Sequence, residues 1–181
     1  MNPLYFVTGN EGKYREAKVL LPELQRIDFD LPEEQTLDPQ VVIARKLEVA
    51  RAKHPDGALI VEDTSLYIDG LNGFPGPLIK WMLQAVGNQG IADLCNAIKD
   101  RGAVARTVVG YDAGDGSAVQ FFEGVVDGQI VVPSGIDGFG WDEIFKPNGV
   151  DETFAEMGDE FKREFSMRTR AFEQLSEFLS K

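Results

Sequence analysis

The chain has 181 residues, 43% of them hydrophobic, and a formal net charge of −12, which suits one globular domain spanning 1–181 with a sizeable core. That charge excludes a nucleic-acid binder, whose surface must be basic to displace counterions. It also means that any site for a polyanion must gather Lys or Arg locally or recruit a metal cation. The one cysteine, Cys95, excludes an internal disulfide, and no basic n-region or long apolar run marks a signal peptide or membrane span, so a cytoplasmic chain without membrane partners is expected.

In chain order, Leu4 to Thr8 reads as a short buried strand running into a Gly-Asn turn, and Gly12 to Leu21 reads as a helix. Asp38 ahead of Pro39 is a helix start, an N-cap followed by proline at the first helical position. Ile43, Leu47 and Ala50 lie on its inner face, and it should end near Lys53, before Pro55. The sole histidine, His54, falls in the loop there, which leaves little material for a Ser-His-Asp triad or a histidine metal site.

Ala58 to Val61 is an apolar run of strand length that delivers Glu62 and Asp63 at its end; Leu66 to Ile68 and a glycine-rich turn at Gly73 to Pro77 follow. Leu78 to Val86 and Ile91 to Ile98 read as helices parted by Gly87 to Gly90, with Cys95 as a core residue. From Ala103 to Val132 the pattern is that of an antiparallel meander, with turns at Gly114-Asp115-Gly116 and at Asp127-Gly128, the latter a two-residue hairpin signal. After a loop from Pro133 to Gly149, the last helix runs from Met167 to Leu179. It buries Ala171, Leu175 and Phe178 and carries Arg168 and Arg170 in its first turns. The whole reads as one α/β unit.

Several segments carry chemistry. In T-G-N-E-G-K, Thr8 to Lys13, a glycine, a helix N-terminus and a lysine make a phosphate cradle, although alone the segment reads more readily as an ordinary strand-to-helix turn. In V-E-D-T-S-L, Glu62 and Asp63 are adjacent carboxylates at a strand end, which repel unless a cation or proton relieves them. Mg²⁺ would do so while leaving one acid to activate water, and capping of the next turn is the plainer alternative. In G-F-P-G-P-L-I-K, a rigid turn leads into a helix carrying Lys80, which equally fits a surface lysine. G-F-G-W-D, Gly138 to Asp142, offers Phe139 and Trp141 as a base-stacking platform, with Asp142 to read base N–H groups; both rings also fit a core plug. F-K-R-E-F-S-M-R-T-R places Lys162, Ser166 and Arg168 at a helix start, where Arg168 could donate to a purine carbonyl.

Taken in this order, these segments strongly resemble the inosine triphosphate pyrophosphatase (Ham1) family. E-D-T-S-L, G-F-P-G-P-L-I-K-W, F-F-E-G followed by G-Q-I, G-F-G-W-D and T-F-A-E-M carry the match over almost the whole chain. The resemblance implies an elongated single α/β domain with a long twisted mixed β-sheet, flanking helices forming two lobes around a nucleotide cleft, and a homodimer. It implies hydrolysis of non-standard purine triphosphates (ITP, dITP, XTP) to the monophosphate and pyrophosphate, with Mg²⁺ as cofactor and Mn²⁺ as a substitute. Residue by residue, Thr8, Gly9, Asn10 and Lys13 would bind the triphosphate, with Lys46 and Lys80 adding charge. Glu33 and Glu62 would hold the metal, and Asp63 would be the base that activates water. Phe139, Gly140, Trp141 and Asp142 would form the base loop, completed by Lys162, Ser166 and Arg168.

Hydrogen-bond logic then gives selectivity. Hypoxanthine and xanthine present an acceptor at position 6 where adenine presents a donor, so a buried arginine facing it rejects adenine. Three positions depart from the family pattern: Met167 replaces a histidine in S-H-R, Ser134 stands where arginine is frequent, and Glu143 follows W-D in place of proline. Met167 keeps two alternatives in view, the same chemistry on another modified or pyrimidine triphosphate, and a nucleotide-binding module without catalysis.

Overall fold

A computed structural model describes residues 3–136 and 138–181. Strand β1 (Leu4–Val7) leads into helix α1 (Glu11–Leu20), which Asn10 caps by accepting the Lys13 N–H. A three-residue strand, β2 (Gln25–Ile27), precedes α2 (Pro39–Lys53), whose N-cap is Asp38 and whose C-cap is His54. Both ends of α2 fall where the capping chemistry set them, because a carboxylate on the Gln40 N–H and proline at the first position are local signals.

Strand β3 (Ala58–Ile68) corrects the expectation of a stop at Val61, since it passes straight through Glu62 and Asp63 for a total of 11 residues. A two-residue strand β4 (Pro75–Gly76) pairs back on it at Leu66↔Gly76 and Tyr67↔Pro75. The helical span α3 (Ile79–Ile98) is broken at Gly87, whose φ of 69° and ψ of 175° are not helical, so two helices meet there as the sequence led one to expect. Strands β5 (Gly102–Asp112) and β6 (Gln120–Ile130) follow, joined through Gly114 to Gly116.

The hairpin expected at Asp127-Gly128 does not form. Both residues lie inside β6, where Gly128 pairs with Pro147 of β7 (Phe145–Pro147). A Cβ at Gly128 would come within 2.5 Å of the Lys146 carbonyl oxygen and 2.6 Å of the Phe145 ring, so the glycine serves close approach of a neighbouring strand rather than a turn. Helices α4 (Gly158–Phe165) and α5 (Met167–Leu179) close the chain. Ala171 and Leu175 are fully buried as expected, whereas Phe178 is 40% exposed; its place in the core is taken by Phe172.

The strands form one sheet in the order β2-β1-β3-β5-β6-β7, with β4 on β3. Its pairings are mixed: β1 runs parallel to both β2 and β3, and β6 runs antiparallel to β7. This is the α/β class with a mixed sheet that the sequence implied. The chain divides into two compact units, one of residues 1–63, 107–124 and 168–181, the other of residues 64–106 and 125–167. No helix among the described residues is long and apolar enough to cross a membrane.

Each unit has its own core. In the first, Phe6, Ile60, Ala17, Phe172 and Leu175 pack α1 and α5 against one face of the strands. Val7, Leu59, Val61, Ile43, Leu47 and Ala50 pack α2 against the other. In the second, Leu66, Ile68, Ile79, Ile91 and Cys95 join Trp141, Phe145, Phe154 and Met167.

Candidate functional site

The site grows from the alternation of β3. Successive side chains of a strand point to opposite faces, and here Ile60 packs with α1 and α5 while Leu59 and Val61 pack with α2. Continuing that alternation, Glu62 emerges on the side of α1 and α5, and Asp63 on the side of α2. The hydrogen bonds agree. Glu62 Oε1 accepts from Lys13 Nζ at 2.9 Å, and Asp63 Oδ1 accepts from Lys46 Nζ at 2.8 Å. The parallel register with β1 ends at Phe6↔Ile60. The two acids therefore lie alongside the point where β1 gives way to the Thr8–Asn10 turn.

On the α1 side, Glu62 is almost wholly buried and doubly gripped. The Arg168 guanidinium donates from Nε to Oε2 at 2.8 Å and from Nη2 to Oε1 at 3.1 Å, a forked geometry that only a planar guanidinium provides. Arg168 also donates through Nη1 to Glu16, so a row of alternating charge runs Lys13, Glu62, Arg168, Glu16. Burial alone would push the Glu62 carboxyl up; the Arg168 and Lys13 cations beside it override this and hold it down at about 2. The same two carboxylates raise Arg168 against its own desolvation.

This arrangement bears on the metal. Glu62 already accepts three charge-assisted hydrogen bonds from two cations, and its neighbour Asp63 faces the other side of the sheet. Glu62, expected from the resemblance as a Mg²⁺ ligand, here pairs with Lys13 and Arg168. Adjacent carboxylates need no shared cation to relieve them when the pleat parts them and each has its own. Among the described residues no group of three or more His, Cys, Asp or Glu forms a metal cage. Glu33 is exposed on the loop after β2, three residues beyond Asp30, whose carboxylate lies so close to Gly9 that a Cβ there would meet it at 2.5 Å.

The turn itself is well ordered. The Asn10 side chain caps α1 through the Lys13 N–H at 3.1 Å, and the Asn10 N–H donates to Thr8 Oγ1 at 3.1 Å. Arg26 of β2 donates to the carbonyl oxygens of both Thr8 and Gly9 at 3.0 Å.

The remaining residues singled out in the sequence belong to the second unit, apart from Arg168. Asp142 is buried and its Oδ2 accepts from the Phe139 N–H at 2.9 Å and from Lys162 Nζ at 2.7 Å. The Lys162 ammonium lies 4.8 Å from the centre of the half-buried Phe139 ring, so Phe139, Asp142 and Lys162 form one constellation. Trp141 packs inward. It is buried with its ring against Phe145 at 5.5 Å and Phe154 at 6.4 Å, which is the core alternative weighed above. Gly140 is exposed, and its carbonyl accepts from the Asn88 side chain at 3.1 Å. Asn88 also donates to Glu143 at 3.1 Å, which ties the loop where proline is absent. Ser166 and Met167 are buried, and the Met167 thioether is packed in the core of the second unit. Lys80 is exposed in the first turn of α3, with its ammonium 5.9 Å from the Trp81 ring.

Glu16 and Arg26 were missed. Glu16 stands three residues after Lys13 on one helix face, a spacing that could have flagged it. Arg26 lies in a strand too short to announce itself.

Fold and site define an α/β protein whose first strand ends in a turn at a helix N-terminus, beside two acid–lysine pairs, Glu62 with Lys13 and Asp63 with Lys46. Comparison with known proteins narrows this. The Ham1 family model matches residues 4–178, and the chain belongs to that family. It is 40% identical over 182 residues to the inosine triphosphate pyrophosphatase of Schizosaccharomyces pombe, covering 99% of this chain and 96% of that one. It is 42% identical over 178 residues to the dITP/XTP pyrophosphatase of Methanopyrus kandleri, covering 96% and 94%. Among solved structures, a HAM1 protein from Coxiella burnetii superposes with a TM-score of 0.82 at 26% identity, over 98% of each chain.

Proposed function

We propose that this protein hydrolyses non-standard purine nucleoside triphosphates, ITP, dITP and XTP, to the monophosphate and pyrophosphate. The observation that carries the reading is the pair of lysine-anchored acids beside the turn: Lys13 with Glu62, and Lys46 with Asp63. The names of the yeast and archaeal relatives support the substrate class. In this reading the Thr8–Asn10 turn and Lys13 take the triphosphate. Asp63 orients and deprotonates the attacking water, while Lys46 at 2.8 Å fixes its carboxylate. Glu33 and Glu62 would hold Mg²⁺, which would supply charge neutralisation at the phosphate oxygens. Phe139, with Asp142 and Lys162 behind it, receives the base. Arg168, locked to Glu62 and Glu16, sets the charge of the floor on the α5 side. A homodimer and a cytoplasmic setting belong to the same reading, and the sole cysteine accords with the latter.

Pyrophosphate release from ITP, dITP, XTP and the standard triphosphates, with Mg²⁺ and again with excess EDTA, tests this. The expected result is preference for the first three and loss of turnover in EDTA. Equal rates on ITP and the four standard nucleotides would sink the selectivity, and undiminished turnover in EDTA would sink the metal.

Met167 decides between this and a shifted substrate. Its thioether is core, so Met167→His buries an imidazole among Trp141, Phe154 and their neighbours. We expect that change to lower stability by about 1–3 kcal/mol. The ITP-to-ATP discrimination should move by less than about 1 kcal/mol, roughly fivefold. A larger change in the substrate profile would make residue 167 a base determinant.

A further inference from the structure

We infer that Arg26 is a positioning residue for triphosphate binding, acting on the backbone of the Thr8–Asn10 turn; the inference rests on the reading of that turn as the triphosphate site. Arg26 contributes no group to the turn itself. Its Nε donates to the Thr8 carbonyl oxygen at 3.0 Å and its Nη2 to the Gly9 carbonyl oxygen at 3.0 Å. One planar guanidinium thus holds two successive carbonyls to the same side.

The consequence follows from peptide geometry. In a trans peptide the C=O of one residue and the N–H of the next point in opposite directions. Pulling the Thr8 and Gly9 carbonyls toward Arg26 turns the Gly9 and Asn10 N–H groups to the far side together. Successive N–H groups on one side make a concavity that binds anions. The Asn10 N–H also donates to Thr8 Oγ1 at 3.1 Å, so the Gly9 N–H is the principal donor of this concavity, and the Asn10 side chain caps the helix that continues the same positive end. Turns held this way need not be ordered by the ligand, so binding loses less entropy.

Arg26 is not needed to hold its strand. The β1–β2 pairing is made by backbone groups, with Phe6↔Arg26 and Val7↔Ile27 in register and the Thr8 N–H on the Ile27 carbonyl at 3.0 Å. Its other contacts orient it from behind: Asp28 lies 3.0 Å from Nη2 and Glu11 4.0 Å from Nη1. Gly9 has room only without a side chain, since Asp30 occupies the space a Cβ would take. The turn is therefore fixed on one flank by a guanidinium, with the Asp30 carboxylate filling the space beside Gly9.

The test compares wild type with Arg26→Met and Arg26→Lys, reading kcat and KM for ITP alongside the dissociation constant of inorganic tripolyphosphate by calorimetry. Loss of the clamp should raise KM and the tripolyphosphate constant about tenfold, with kcat changed by less than about threefold. The ITP-to-ATP preference should stay as in wild type. Lysine, which reaches one carbonyl, should restore binding in part. A merely structural role would lower the melting temperature and active fraction without moving KM, and that result overturns the proposal. If Arg26→Met does not fold, Asp28→Asn loosens the same guanidinium from an exposed position and should raise KM in the same direction. A KM and tripolyphosphate constant unchanged in both soluble variants overturns it too. The calorimetric arm separates this idea from the substrate reading. A wild type that turns over no ITP yet binds tripolyphosphate in an Arg26-dependent way loses the proposed activity and keeps the clamp, whereas a wild type that binds no tripolyphosphate loses the clamp.

Discussion

Asp63→Asn is expected to lower kcat for ITP by about a thousandfold, the scale of a lost general base, with KM nearly unchanged. The amide has the shape of the carboxylate and still offers an oxygen to Lys46, and Lys46 also lies 3.3 Å from the Glu62 carbonyl oxygen, so the ammonium keeps polar partners. Nothing else about the strand changes, because the backbone of Asp63 sits mid-strand in β3. Steady-state kinetics on ITP beside a thermal melt check the prediction. A variant that melts cooperatively and retains more than about a tenth of wild-type kcat would remove Asp63 from the base role, since general-base catalysis contributes at least about a hundredfold.

Glu62→Gln should instead be read first in stability. It takes one anion from Arg168, which is 2% exposed and keeps its bond to Glu16, and it leaves Lys13 facing an amide. Removing one partner of a buried ion pair costs about 3–5 kcal/mol. The depressed carboxyl points to a similar figure. The Glu62 carboxyl lies at about 2 against an ordinary 4.5, which corresponds to roughly 3 kcal/mol favouring its charged form. We expect a melting temperature lower by about 10 °C for a chain of this size.

The sign with pH follows. A carboxyl depressed in the folded state stabilises fully above its unfolded value near 4.5, and that contribution is lost as pH falls from there toward about 2. Wild type should weaken through this window more steeply than Glu62→Gln, which has already lost the contribution. Parallel acid-unfolding curves for the two proteins would show that the Arg168 fork adds nothing to stability.

Much of the fold was legible because its signals are local. Asp38-Pro39 set the start of α2, and S-M-R set the start of α5 at Met167. Strands β2 and β7, with three residues each, carry too few side chains for a period to show. Helix α4 was missed for want of a cap: Met157 makes no side-chain bond at its start. Asp127-Gly128 has turn chemistry, but the demand of β7 for space decided its role.

The candidate site was legible as residue types and not as pairings. Glu62, Asp63, Lys13 and Lys46 are all visible in the sequence, yet which lysine meets which acid depends on the strand continuing past Val61. A strand that ended there would have left both acids in one turn. For Trp141 and Arg168, the residues were legible but not the protein groups they pack and pair with. An indole in a loop was drawn into the core by Phe145 and Phe154, and a guanidinium expected to face a base was taken by two carboxylates.

The pleat of β3 has one more consequence, which concerns reach. Glu62 spans to groups carried on two helices, and its extra methylene is what lets one carboxylate touch both Lys13 and Arg168. Asp63 is held tight to the backbone by a lysine long enough to come to it. Exchanging the order to Asp-Glu would conserve charge, composition and hydropathy, yet it would leave the guanidinium short of its anion and thrust the other carboxylate past its lysine. Two neighbouring acids that look interchangeable on paper are cut to different lengths for different tasks.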